Sequence, residues 1–434
     1  MSHIVRKPGV LAGTRVAVFL ALVHAVNDVL TAILGALLPT LQARFAASTT
    51  TLAVLVAAFS ISSSVTQPFL GAVADRVGLR QVAGIGVALA AVSLSLVGVA
   101  GSMALLLALL ILGGIGSAAL HPVATSIVGG PSAKNPGLAV GQFTAGGMVG
   151  FAAGPVLVLF LISRWGTDAT PWLMIPGLLL AVGVLTLLPV WEPHSTGHLR
   201  RVFDRRLLAS GPILKLTSAA VLISLTFITV TSAVPLWLVA DQGLATDAPL
   251  LGWTLGVFSL MAGLGAVVGG AIAARVGYGR TTALSLTAAV PALIAVLLVP
   301  PGAWTLVTAA VAGLFIYASQ PLLIVAAQNH APQAPAAAAG IVIGVGHAVA
   351  GLLYVGVGAL QGAFGLAPTM AVTFTLLIPA AVIATRALRG RDGSDMGPSP
   401  ASMLPTEGNA GRGDGLSTTP PPAQQDLALR SVRR

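Results

Sequence analysis

The sequence predicts an all-α integral membrane protein whose twelve transmembrane helices form two pseudo-symmetric six-helix bundles. Three observations predict it. Of 434 residues, 56% are hydrophobic and only 8% charged, against roughly a quarter charged in soluble domains, and the mean hydropathy is +0.94. The apolar residues fall into twelve runs, each supplying the roughly twenty residues that cross a bilayer. A polar stretch from Glu192 to Pro212 divides the runs six and six, and the same loop sequence recurs at the same place in each half. One integral membrane unit therefore replaces the several soluble domains that length alone would suggest.

The spans are predicted near 16–43, 50–74, 81–101, 103–128, 137–163, 171–191, 213–239, 249–274, 281–300, 304–329, 336–362 and 367–388. The first halves of the chain, residues 1–191, and the second, 213–388, are read as the two bundles, with 192–212 a cytoplasmic linker and 389–434 a disordered cytoplasmic tail. The net charge of +10 raises the possibility of nucleic acid, but its distribution points to the membrane. With the N-terminus inside, only Arg44 and Arg164 of the 22 lysines and arginines lie outside. That asymmetry places both termini in the cytoplasm and the basic loops against anionic headgroups. The Ala-rich composition points to a GC-rich bacterial source, and the cytoplasmic membrane is the expected location. Arg6, Lys7 and Arg15 precede an apolar run too long for a signal-peptide core, so the first helix is read as uncleaved.

Span one carries His24, Asn27, Asp28 and Thr31 at i, i+3, i+4 and i+7, a single polar stripe expected to face a cavity. Asp28 is the one carboxylate far from a predicted membrane edge. A charge at a helix centre is unfavourable by about 2.5 to 3.5 kcal/mol on insertion scales, so such a residue reads as functional, although a satisfied patch locking span one to its neighbours has the same pattern. His24 and Asp28 can titrate as a coupled unit, and alternating exposure would let them carry a proton.

Span two repeats the stripe with Ser60, Ser63, Ser64 and Gln67 before Pro68. Serines can bond their own backbone, so Gln67 is the one candidate for substrate contact. After this span come Gly71, Asp75, Arg76, Gly78 and Arg80 in GAVADRVGLR, where glycines allow a tight turn and Asp75 can pair with a basic group or a helix N-terminus. The sequence GAIAARVGYGR after span eight keeps Gly270, Arg275 and Gly277 but has Ala274 in place of the aspartate, so a latch built this way would be one-sided. The same turn could instead be simple basic anchoring.

His121 in LHPV of span four and His347 in GVGHAV of span eleven are lone imidazoles without metal-ligand spacing. Both are carried as cavity candidates with Asn27, Thr31, Gln67 and Gln142; Trp237, Gln320, Gln328 and Tyr354 read more simply as core. Span five places Gly146, Gly150 and Gly154 on one face, followed by Pro155, a small-residue surface for close helix packing with a local kink.

The loop motif resembles the signature of the major facilitator superfamily. HAVNDVLTAILGALLPTLQARF, SSSVTQPFLGAVADRVG, GGIGSAALHP and the span-five glycines, which resemble a motif associated with antiporters, are together similar to the fosmidomycin-resistance branch. The resemblance covers most of the first half. It implies proton-driven drug efflux, with coupling on His24 and Asp28 and a cavity role for Gln67 and His121. Where the branch often has an acidic residue, this chain holds Val123 and Asn329, which implies coupling either reduced or concentrated on Asp28.

The expected function is a secondary transporter, a proton-coupled antiporter exporting a small molecule or drug, acting as a monomer with small-molecule substrate, protons and the bilayer as partners. No enzyme, cofactor, metal or nucleic acid is expected. A proton-independent or symport-type facilitator for a small polar solute, and a membrane-embedded enzyme using His24 and Asp28, are the alternatives. Cysteine is absent, there is no phosphate-cradling G-x-x-x-x-G-K-[ST], and no H-E-x-x-H or G-x-S-x-G occurs, which excludes thiolate, ATP-driven, zincin and serine-hydrolase chemistry of those kinds.

Overall fold

The computed structural model describes residues 6–7, 14–128, 136–188, 190–191, 210–332 and 335–388. Twelve helices among them are long and apolar enough to cross a membrane. In chain order, spans 1 to 6 are Arg15–Phe45, Thr49–Ala74, Leu79–Val99, Met103–Ala124, Phe143–Trp165 and Thr167–Leu187. Spans 7 to 12 are Gly211–Ala240, Pro249–Val276, Tyr278–Leu298, Ala303–His330, Ala337–Phe364 and Leu366–Leu388. In hydrocarbon every backbone amide must be satisfied within its own segment, which is why apolar runs of this length become helices.

Proline and glycine set the irregularities. Span 2 divides into Thr49–Val65 and Gln67–Val77 just ahead of Pro68, and span 10 into Ala303–Ile316 and Gln320–His330 ahead of Pro321. Proline lacks the amide that would continue the ladder and its ring collides with the carbonyl one turn back. A π-turn interrupts span 11 at Ile341–Val345, in a glycine-rich stretch. Span 6 differs most from its predicted limits of 171–191. It opens with a 3-10 segment, Thr167–Leu173, and its helix ends at Leu187, ahead of Pro189. Beyond the proline, Val190–Trp191 pairs antiparallel with Arg6–Lys7, a short ribbon that an all-helical reading did not anticipate.

The two halves repeat one another. Span 1 packs on 5 as 7 packs on 11, 3 on 4 as 9 on 10, 3 on 6 as 9 on 12, and 2 on 4 as 8 on 10. Between the halves, span 2 meets 11, span 5 meets 8, and span 1 meets 7. Each pairing recurs six spans later, the signature of two six-helix bundles related by pseudo-symmetry. The buried core runs through Leu30 and Leu37 of span 1, Ile223 and Val230 of span 7, and Leu377 of span 12.

Small residues allow these approaches, since lipid offers no hydrophobic drive to pair apolar helices. A Cβ on Gly146, Gly150 or Gly154 would strike the carbonyls of Ala21, Ala25 and Val29 on span 1. Across the halves, a Cβ on Gly35 would meet the Thr231 carbonyl, one on Gly252 the Pro155 carbonyl at 2.8 Å, and Thr49 Oγ1 donates to the Gly358 carbonyl at 2.8 Å. The Thr49–Gly358 and Pro155–Gly252 contacts lie toward the membrane face where spans 1, 5, 7 and 11 end and spans 2 and 8 begin, while Gly35 and Thr231 border the central cavity. Toward the other face, the Gln67–Val77 segment packs chiefly on spans 3 and 4 of its own half. Gly78 (φ 121°) and Gly277 (φ 95°) occupy equivalent turns between spans 2 and 3 and between spans 8 and 9, in a region L side chains rarely enter. The tail 389–434 and linker residues 192–209 lie outside the described residues; span 7 takes over from Gly211.

Candidate functional site

His24 sits on span 1, 6% exposed, where Gly147 of span 5 leaves room for its ring: a Cβ there would collide with the imidazole. Its Nδ1 donates to the Phe143 carbonyl at 2.8 Å, and its ring stacks on that of Phe143 with centroids 4.1 Å apart. With Nδ1 committed as a donor, Nε2 turns to Asp28 Oδ2 at 3.1 Å, a close ion-pair contact rather than a well-aligned hydrogen bond. A neutral imidazole in this tautomer would present a lone pair to the carboxylate oxygen. The approach is therefore favourable when one proton lies between them, on Nε2 or on Oδ2.

Asn27 supports Asp28 from the side. Its Nδ2 donates to Asp28 Oδ1 at 3.0 Å and to Ser117 Oγ of span 4 at 2.9 Å, while its Oδ1 is buried without a partner. His121, also on span 4, donates from Nδ1 to the Ser117 carbonyl at 3.3 Å and meets His24 edge to face, centroids 4.9 Å apart. Sequence spacing contains no metal-ligand pattern, yet folding places donor atoms of His24, Asp28 and His121 within 4.8 Å of one another, a grouping able to hold an ion as well as a proton.

Only Thr31 of the span 1 stripe reaches the central cavity, an opening of ≈190 Å³ between the halves. Its Oγ1 donates to the Asp28 carbonyl at 3.1 Å, so the buried pair lies one helical turn from the cavity wall. The expectation that the whole stripe faces a cavity is corrected: His24, Asn27 and Asp28 point into the first bundle, because glycines on span 5 let spans 1 and 5 close together. Ser60 and His347 line the cavity from spans 2 and 11, and Ser60 Oγ donates to the His347 carbonyl at 3.3 Å, joining the halves. Gln67 is turned to its own helix, donating to the Ser63 carbonyl at 3.0 Å across the break in span 2.

At the loop after span 2, Gly71 lies against Pro122 of span 4, Arg76 is exposed, and Arg80 Nη1 donates to the Leu188 carbonyl at the end of span 6. The side chains of Asp75 and Gln142 lie outside the described residues. Pro155 sits within span 5, its carbonyl facing Gly252. Trp237 and Tyr354 are buried in the core. Sequence reasoning missed Ser117, Phe143, Gly147 and the aromatic wall of Phe151, Phe227 and Tyr317. Ser117 was detectable as the residue one turn before His121, and Gly147 as half of a glycine pair; Phe143 has no such signal.

Twelve spans in two repeated bundles around a central cavity define a membrane transporter. The chain belongs to the Major Facilitator Superfamily, whose family model matches residues 20–355. It is a secondary transporter of that family, binding small-molecule substrate within the membrane, and not an enzyme. Among its relatives, the fosmidomycin resistance protein of Escherichia coli (strain K12) is 24% identical over 344 residues, covering 77% of this chain and 83% of the relative. The multidrug resistance protein Stp of Mycobacterium tuberculosis is 28% identical over 193 residues, 44% of this chain and 35% of its own length. A bacterial homologue of the human lysosomal transporter Spinster, solved in an inward-facing and occupied conformation, has a TM-score of 0.72 at 18% identity, covering 87% of this chain and 97% of its own.

Proposed function

We propose that this protein is a proton-coupled antiporter that exports a small molecule, with His24 and Asp28 as the proton-carrying pair. The carrying observation is the 3.1 Å contact of His24 Nε2 with Asp28 Oδ2, buried one turn from Thr31 on the cavity wall. Substrate entering beside Thr31 and a proton leaving the pair would compete through the same turn of span 1. The names of the relatives, fosmidomycin resistance and multidrug resistance proteins, support efflux as the direction.

On this reading the protein lies in the cytoplasmic membrane of a bacterium with both termini inside and works as a monomer. The basic residues then put the tightly packed ends of spans 1, 5, 7 and 11 outside, so the described form is closed to the exterior and suited to loading from the cytoplasm. Rocking of the two bundles about the central cavity would exchange its exposure. The loop from Gly71 to Arg80, turning at Gly78, would act as the inner latch through Asp75, Arg76 and Arg80.

The test is proton flux in proteoliposomes holding a pH gradient. Substrate-triggered flux is expected in the wild type and its loss in Asp28→Asn, which keeps the side-chain shape but cannot carry the proton. Wild-type coupling in that variant would sink the reading.

A further inference from the structure

We infer that the central cavity takes an uncharged, aromatic-bearing molecule with a hydrogen-bonding group, and discriminates against phosphonates and other ions. This rests on reading the cavity as the transport site and names its substrate class.

The walls are aromatic from both halves. Phe59 and Phe151 come from spans 2 and 5, Phe227 and Tyr317 from spans 7 and 10. Phe227 is the hub: its ring centroid lies 4.9 Å from that of Tyr317 and 5.9 Å from that of Phe151, tilted to both at 44°. Such an assembly presents π-faces and edges into which another flat ring can pack. Among the described residues, no lysine, arginine or carboxylate lines the space.

An anion entering it would give up hydration and find no lysine or arginine, only the imidazole of His347. A cation would find no carboxylate on the wall and would meet only ring faces. Asp28 does not alter this, because its negative charge is met by His24 and Asn27 inside the first bundle and it does not line the cavity. The polar contact is the imidazole of His347, which lines the cavity from span 11. A ligand that supplies a donor or acceptor to it is favoured. Ser259 of span 8 also borders the space, but its Oγ is buried out of reach. The cavity thus differs from what the name of the Escherichia coli relative would suggest, since fosmidomycin is an anionic phosphonate.

The test is equilibrium dialysis of the full chain in lipid nanodiscs, with empty nanodiscs subtracted. The probes share one ring system and differ in charge: 2-naphthol, 2-naphthyl phosphate and 2-naphthyl-trimethylammonium, with fosmidomycin as a fourth. Saturable binding of 2-naphthol is expected, with the three ions at least about ten-fold weaker. Phe227→Leu, which keeps apolar bulk, should weaken 2-naphthol by roughly three- to ten-fold, and His347→Leu should weaken it as well. Equal or tighter binding of either naphthyl ion or of fosmidomycin would overturn the inference and leave proton coupling standing, as would absence of 2-naphthol binding. Charge-selective binding of 2-naphthol without proton flux would instead remove the coupling reading and keep the substrate class.

Discussion

His24 owes its orientation to three neighbours, and each has a distinct physical role. The Phe143 carbonyl sets the tautomer, the Phe143 ring sets the plane, and Gly147 provides the space. Gly147→Val is expected to push the imidazole away from Asp28 while leaving the carboxylate in place. Coupled flux should fall by about 10²-fold, the effect of ångström-scale misplacement of a reacting group, while binding of 2-naphthol changes little. Flux assays alongside dialysis would separate the two. The stripe His24, Asn27, Asp28 and Thr31 was legible in the sequence because helical spacing alone aligns it. Its contacts with Ser117, His121 and Phe143 were not, since spans 4 and 5 reach it only through tertiary packing.

Span 5 is held against span 1 by contact of backbone with backbone. Gly146, Gly150 and Gly154 form a groove for the carbonyls of Ala21, Ala25 and Val29, so added bulk at the centre cannot be absorbed by a flexible side chain. Gly150→Val is expected to destabilise the folded protein by about 1–3 kcal/mol, as overpacking does, and to lower the unfolding midpoint in nanodiscs. An unchanged midpoint would show that the helices part without penalty. The periodicity of these glycines marked a packing face in the sequence, but not its partner. The broken helices divide similarly. Pro68 and Pro321 mark their breaks openly, whereas the π-turn at Ile341–Val345 has only a glycine-rich setting to announce it.

The absence of cysteine makes the membrane topology of the whole molecule directly testable. Gly101 lies in the turn between spans 3 and 4 with open space around it, and Arg76 is exposed at the opposite face. In intact cells a membrane-impermeant maleimide should label Gly101→Cys, and should label Arg76→Cys only after permeabilisation; the reverse pattern would invert the protein and make the closed face cytoplasmic. Twelve spans, their division six and six and their charge asymmetry were all readable from the chain, because hydrocarbon demands long apolar helices and charge placement is a property of loops rather than of packing. Asp28 also stood out without a structure, since an isolated carboxylate in an apolar run is costly wherever its helix packs. Tertiary structure alone decided that Asp28 faces the first bundle rather than the cavity, that His121 joins it, and that the cavity is walled by Phe151, Phe227 and Tyr317. Those relations depend on which helices approach one another and how closely, and the small residues that govern such approach carry no label for their partners in a single sequence.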